Sequence, residues 1–287
     1  MDYLVKALAL NKNVRVYVVN NTGVVNEAIR RHDIWPSGAS VLGKTMAIGL
    51  MMGGMLKGKQ ALTIKIDGNG PIGQVVVDAN ALGDVRGYVT RPHVNFTTND
   101  GKLAEVQTLG YNGFIDVIKD LKMNDLFTSS IDIVTGDLAK DFTYYFMESE
   151  QTPSVVALGS KFDVDNTCLL CGGIIIQLMP GASEEDILYV ESKLHILNNF
   201  SVLLEKYKLE EIVKMLFEDA EIVETRTVIF HCKCSKQKFA GGLISLGKDE
   251  LQNIIETDKK AEAVCHYCNE SYEFSLEELI ELAKEAK

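Results

Sequence analysis

Surplus positive charge is missing from this sequence of 287 residues: 29 lysines and arginines stand against 40 aspartates and glutamates, a net charge of −11. Such a chain repels a phosphate backbone unless a local basic patch overrides the field. No basic arm, no run of five or six like charges and no low-complexity tail supplies one. Cysteine is absent from the first 167 positions, proline occurs five times and tryptophan once. Also lacking is the stretch of about 20 predominantly apolar residues that a membrane span requires. The most apolar segment, residues 39–56, contains Lys44 and several glycines, and is expected to be a core helix. Gly49 and Gly53 within it have GxxxG spacing, which predicts close packing in a soluble core rather than membrane dimerisation. Residues 1–6 lack the basic, apolar and small-residue layout of a signal peptide, so a cytoplasmic protein is expected. What is present is ordinary for a globular chain: 46% hydrophobic and 24% charged residues. The length suits about two domains.

Periodicity sets the organisation. Residues 14–19 read as a strand and 24–57 as a long helical region. Residues 61–66, 74–79 and 85–89, with Gly83-Asp84 as a turn signal, predict an antiparallel meander laid against helices. Residues 113–121 and 138–149 are expected as helices, 154–158 and 173–179 as strands. Met179-Pro180-Gly181 breaks the chain, and Ser183 with Asp186 opens a helix with an acidic first turn. Ile187, Val190, Leu194 and Leu197 follow at helical spacing, and 209–217 reads as another helix. The expected class is α+β: a mixed core domain over 1–179, with an antiparallel sheet and packed helices, then a helical linker over 180–226. A small C-terminal zinc-binding domain over 227–287 completes it, and its last helix opens with the capping box of Ser275 and Glu278. The apolar stripes of the linker need a partner surface, and the C-terminal module is the cover expected for them.

The chemistry sits in that module, in Cys232-Lys233-Cys234 and Cys265-His266-Tyr267-Cys268, with 30 positions between the pairs. Zinc takes four tetrahedral ligands and thiolates suit it. Two short-spaced pairs on two turns present four sulfurs without long loops. So short a module buries little surface, so metal binding is expected to supply much of its folding energy. The CxC half narrows the reading, because a bridge between cysteines two apart closes a small, strained ring that is easily reduced. The thiolate is both the ligand and the species that oxidants attack. Lys233, Lys236 and Lys238 either favour the thiolates or are simply solvated, and His231 and His266 are not needed once four sulfurs complete the shell. Cys168 and Cys171 lie in an apolar stretch, three apart, where an extended strand would point them to opposite faces. They are expected to be buried packing residues. Gly68-Asn69-Gly70-Pro71-Ile72-Gly73 fits G-x-G-x-x-G, but Pro71 and the run Gln74-Val75-Val76-Val77 predict a hairpin rather than the helix that a dinucleotide site needs. Trp35, before Pro36, is expected to pack at a helix boundary. No nucleophile elbow, Walker A or H-E-x-x-H motif is present.

With these residues set out, the chain resembles, over nearly its whole length, the 33-kilodalton redox-regulated heat-shock chaperone family of bacteria. The resemblance rests on Asp67-Gly68-Asn69-Gly70-Pro71-Ile72-Gly73 with Asp78-Ala79-Asn80 and Val85-Arg86-Gly87-Tyr88. It rests further on Ser149-Glu150-Gln151-Thr152-Pro153-Ser154 and on Cys232-Lys233-Cys234-Ser235 with Cys265-His266-Tyr267-Cys268. It implies a non-enzymatic, ATP-independent holdase for unfolding proteins, inactive when reduced and loaded with one zinc ion on Cys232, Cys234, Cys265 and Cys268. On oxidation it implies disulfides Cys232–Cys234 and Cys265–Cys268, zinc release, an unfolded linker and a homodimer. No redox role carries over to Cys168 or Cys171. Two other classes compete. A zinc-ribbon nucleic-acid-binding factor is disfavoured by charge, because residues 232–287 hold eight basic and eleven acidic side chains. A thiol–disulfide oxidoreductase would need a thioredoxin-like βαβ context around Cys265 and Cys268.

Overall fold

The computed structural model describes residues 1–99 and 101–286. The chain divides into two compact units, Met1–His231 and Cys232–Lys287. In the first, β1 (Tyr3–Ala9) and β2 (Val14–Asn20) lead into helices α1 (Thr22–His32) and α2 (Pro36–Gly53). A meander of β3 (Ala61–Asn69), β4 (Gln74–Asn80) and β5 (Asp84–Val89) follows, then α3 (Glu105–Leu109), β6 (Gly110–Asp120), β7 (Phe127–Asp132) and α4 (Leu138–Glu148). Strands β8 (Ser154–Phe162) and β9 (Cys168–Leu178) form a hairpin. After them come α5 (Glu184–Lys193), a 3-10 turn (Leu194–Asn199), α6 (Phe200–Lys206), α7 (Leu209–Leu216), β10 (Glu221–Thr227) and β11 (Ile229–Phe230). One antiparallel sheet has the order β10-β1-β2-β9-β8; the other, β11-β5-β4-β3-β6-β7, is antiparallel except where β11 runs parallel to β5. The protein is thus α+β, with antiparallel sheets and packed helices.

Helix α2 holds the first unit together. Every residue of it except Lys44 is buried, and it packs against strands of both sheets. Its GxxxG pair allows the close approach: a Cβ on Gly49 would lie 3.1 Å from Val77 Cγ1, and one on Gly53 2.6 Å from the Asn80 carbonyl oxygen. Lys44 survives in this apolar helix because its ammonium meets the Glu105 carboxylate at 2.7 Å, where Ser40 also donates. No helix among the described residues is long and apolar enough to cross a membrane.

Several expectations need correcting. The helical region over 24–57 is two helices, because Asp33 takes the left-handed conformation (φ 52°) that ends α1 and Pro36 starts α2. Residues 113–121, expected as a helix, form strand β6. Phe114, Val117, Ile118 and Leu121 fit helical spacing, but Ile115 and Val117 pair with Ile66 and Ile64 of β3 and bury every second side chain. The linker expected to be helical throughout 180–226 ends in strand: β10 pairs with β1 along its length, since Ile222, Val223, Thr225 and Thr227 favour an extended chain beside an open edge. The linker's apolar stripe also has its partner already. Val190, Leu197, Phe200, Leu204, Ile212 and Phe217 are buried with Val5, Val16, Val18, Ile174 and Ile176 on the outer face of the first sheet. The capping box of Ser183 and Asp186 is present.

The second unit is slight. It comprises α8 (Lys236–Ile244), α9 (Lys248–Thr257), the hairpin of β12 (Ala261–Val264) and β13 (Ser271–Phe274), and α10 (Leu276–Glu285). Helix α10 starts at the Ser275/Glu278 capping box. Among the described residues of this unit the fully buried apolar cluster is Leu251, Phe274, Leu279 and Ala283, with partly buried side chains such as Phe239, Ile254, Tyr272 and Leu282 packed around it.

Candidate metal centre

Local structure brings the four late cysteines together from two turns. Cys232 and Cys234 precede α8, whose N-cap Ser235 accepts from the Lys238 amide. Cys265 and Cys268 lie in the tight turn between β12 and β13, where the amides of Cys268 and Asn269 both donate to the Cys265 carbonyl, at 3.3 and 2.7 Å. Asn269 takes φ 57°, which asparagine tolerates better than most residues. The four sulfurs all lie within 4.8 Å of one another. Cys232 and Cys265 are 3.7 Å apart, Cys234 and Cys268 3.3 Å. A tetrahedron with metal–sulfur bonds of ~2.3 Å has edges of about 3.8 Å, so the donor set and its spacing fit a four-coordinate metal ion.

The electrostatics agree. Burial pushes the Cys265 thiol up, and burial with the neighbouring thiols pushes Cys268 up further. Four sulfurs gathered in one partly buried place cannot all ionise without a cation among them. Sequence spacing singled out the four cysteines that the structure brings together; it missed Tyr272, whose hydroxyl lies 3.2 Å from Cys234 Sγ. That contact raises the Tyr272 hydroxyl's pKa. Only the folding of β13 back across the turn brings this ring in, which no spacing rule reveals. His231 and His266 stay outside the cluster, which among the described residues consists of the four cysteines. Lys236 pairs with Glu278 at 2.5 Å and Lys238 donates to the Lys233 carbonyl, so these two cations have partners other than the sulfurs.

The other flagged residues lie elsewhere. Cys168 and Cys171 are buried in β9 beside Val25, and a bulge puts them on one face, not on the opposite faces expected. Gly70–Gly73 is the turn of the β3–β4 hairpin, followed by strand as expected. A Cβ on Gly70 would strike the Leu109 backbone at 2.3 Å, so the glycines serve a crossing of two backbones. Asp78 accepts from Arg86 at 2.7 Å and from Thr63 at 2.6 Å, and Glu150 from Tyr145 at 2.7 Å and from Lys119; these motif residues hold elements together. Trp35 sits at the α2 boundary as expected, but 44% exposed, with its ring 5.3 Å from that of His93.

Comparison with known proteins agrees with this geometry. A family model described as Hsp33 protein matches residues 2–275. The chain is 50% identical to the 33 kDa chaperonin of Bacillus velezensis, covering 99% of both chains. It is also 50% identical to that of Bacillus subtilis (strain 168), covering 97% of each. The crystal structure of the 33 kDa chaperonin (heat shock protein 33 homolog) from Thermotoga maritima matches with a TM-score of 0.91 at 31% identity, over 99% of this chain and 98% of that one.

Proposed function

The chain belongs to the Hsp33 family, and on that premise we propose that it is a redox-regulated, ATP-independent holdase kept at rest by zinc on Cys232, Cys234, Cys265 and Cys268. The observation carrying this reading is a cluster of four thiols inside a small unit whose apolar cluster has just four fully buried side chains among the described residues, the rest being half-buried. Zinc, when bound, supplies metal–thiolate bonds that in small zinc peptides amount to about 10–16 kcal/mol at neutral pH. That is more than so thin a core can replace.

The sulfurs are also the sensor. A peroxide takes two electrons from a pair of cysteines, leaving one disulfide and two waters, and sulfurs bonded to each other no longer serve as thiolate ligands. The family resemblance pairs Cys232 with Cys234 and Cys265 with Cys268. Once ligation is lost, the second unit loses the bonds that order it, and the linker over 180–226 loosens from the outer face of the first sheet. Val190, Phe200, Leu204, Ile212 and Phe217, with Val16, Val18 and Ile174 beneath them, then form an apolar surface that holds unfolding proteins. Exposed faces of this kind also account for a homodimer in the oxidised state, and the setting is the cytoplasm.

The test is suppression of a client's thermal aggregation by reduced protein and by protein treated with peroxide under mild unfolding stress. The reading requires strong suppression only after oxidation. Equal activity in both states would refute it.

A further inference from the structure

Cys168 and Cys171 stand apart from the metal cluster, and the register of the β8–β9 hairpin gives them a shared geometry. Ser160 faces Cys171, Lys161 faces Leu170 and Phe162 faces Cys168, so Leu169 has no partner and bulges out, 47% exposed. The bulge sets both thiols on one face, buried against Val25, Ile29 and Phe162. The opposite strand covers the same interval in two residues, about 6.6 Å at ~3.3 Å per residue. That lies within the ~4.4–6.8 Å between Cα atoms that a disulfide bridges. Helix α1 pins the backbone at both positions. Asn26 donates to the Cys168 carbonyl at 2.9 Å and accepts from its amide at 3.0 Å. Thr22 accepts from the Cys171 amide at 3.0 Å. A Cβ on Gly43 would stand 3.0 Å from Cys171 Sγ, so glycine in α2 leaves this thiol its room. The neighbouring Cys168 thiol and full burial together raise the pKa of Cys171, which keeps that thiol protonated and unreactive while the hairpin is closed.

We propose that Cys168 and Cys171 form a second dithiol–disulfide couple, silent while the β8–β9 hairpin is closed and oxidised by a peroxide when it opens. Cys168, nearer the hairpin turn, is the sulfur uncovered first. Its thiolate attacks peroxide, the O–O bond breaks, hydroxide leaves and takes up a proton, and a sulfenic acid remains. The Cys171 sulfur then displaces the sulfenic oxygen as a second water, so the two sulfurs lose two electrons and the peroxide gains them. The neighbouring residue Leu170 belongs to the opposite face, in the cluster with Leu204 of α6. The bridge therefore restrains the floor on which the linker lies.

The bond itself does not depend on the zinc reading, and its test keeps the two apart. Trypsin cutting after Lys161 and Lys193 isolates both residues in one peptide without the four late cysteines. The full-length protein is treated with hydrogen peroxide over a temperature series, and hydrogen exchange follows the β8–β9 amides. All thiols are then alkylated in denaturant. The expected result is a doubly alkylated peptide while those amides are protected. Once they exchange, it gives way to a peptide two hydrogens lighter than the reduced form and resistant to alkylation until reduced. Cys168→Ser abolishes that conversion. Two alkylatable thiols after the amides have exchanged, or direct passage to sulfinic and sulfonic acids without the bridge, would overturn the proposal.

Discussion

A thiol binds metal as its thiolate, and burial here favours the protonated form of Cys265 and Cys268. On the proposed reading, a bound dication is what would let these thiols ionise in the folded site. Replacing Cys265 or Cys268 with serine is expected to abolish metal retention and unfold the second unit, leaving the sheets of the first intact; metal analysis and circular dichroism check this. Tyr272→Phe keeps all four ligands and removes the hydroxyl 3.2 Å from Cys234. Loss of an outer hydrogen bond of this kind costs about 10–100-fold in affinity, read as faster zinc transfer to a chelator. A distant carboxylate gives a pH prediction. Hydrogen bonding by Arg30, then Arg31, holds Glu27 down at about 2. Its stabilisation is therefore present above the ordinary glutamate pKa and is lost as pH falls through about 2. The pair is partly exposed, so the effect is under about 1 kcal/mol. Glu27→Gln removes it at neutral pH, and acid titrations of the two proteins converge near pH 2. At this scale the gathering of the four late cysteines was legible, because two short-spaced pairs nearly define a four-sulfur cluster. The shared face of Cys168 and Cys171 was not, because a bulge is a property of the partner strand as much as of its own.

Elements were legible where one face of a regular pattern meets the core. The meander β3–β5, helix α4 and both expected capping boxes follow from local chemistry. Strand β6 was misread because its residues satisfy the helical and the extended period together, and pairing with β3 decides. Strands β1 and β10 and helix α6 were missed for a related reason: each is stabilised by a neighbour far away in the chain, as in Leu4 beside Arg226. The backbone crossing at Gly113 provides a test of the fold. A Cβ there would lie 1.8 Å from the Asp67 carbonyl oxygen, so Gly113→Ala is expected to destabilise by more than about 2 kcal/mol, seen as a lowered denaturant midpoint. The linker provides a test of function. Ile212 is fully buried in α7, and Ile212→Ala removes about 2–5 kcal/mol of packing. Aggregation assays on this variant are expected to show holdase activity without oxidant.

At the scale of the whole molecule, thermodynamic weight is unevenly distributed. The first unit has two large apolar clusters around its sheets, while the second relies on a handful of side chains and the sulfur cluster. Under the proposed function, this asymmetry is what would let chemistry at four sulfurs act as a conformational switch, because losing a bound metal would change the stability of one unit far more than that of the other. The net charge of −11 fits a partner recognised through apolar surface better than a nucleic acid.

The central claim is that sulfur ligation of a metal orders residues 232–287 and, through them, the linker. The most direct measurement is a peroxide titration of the reduced protein, with zinc release and hydrogen exchange across residues 180–287 recorded in the same samples. The account predicts one zinc per chain at the start, and loss of protection in both segments in proportion to the zinc released. A starting protein without stoichiometric zinc, or protection that persists after the metal is gone, would contradict it.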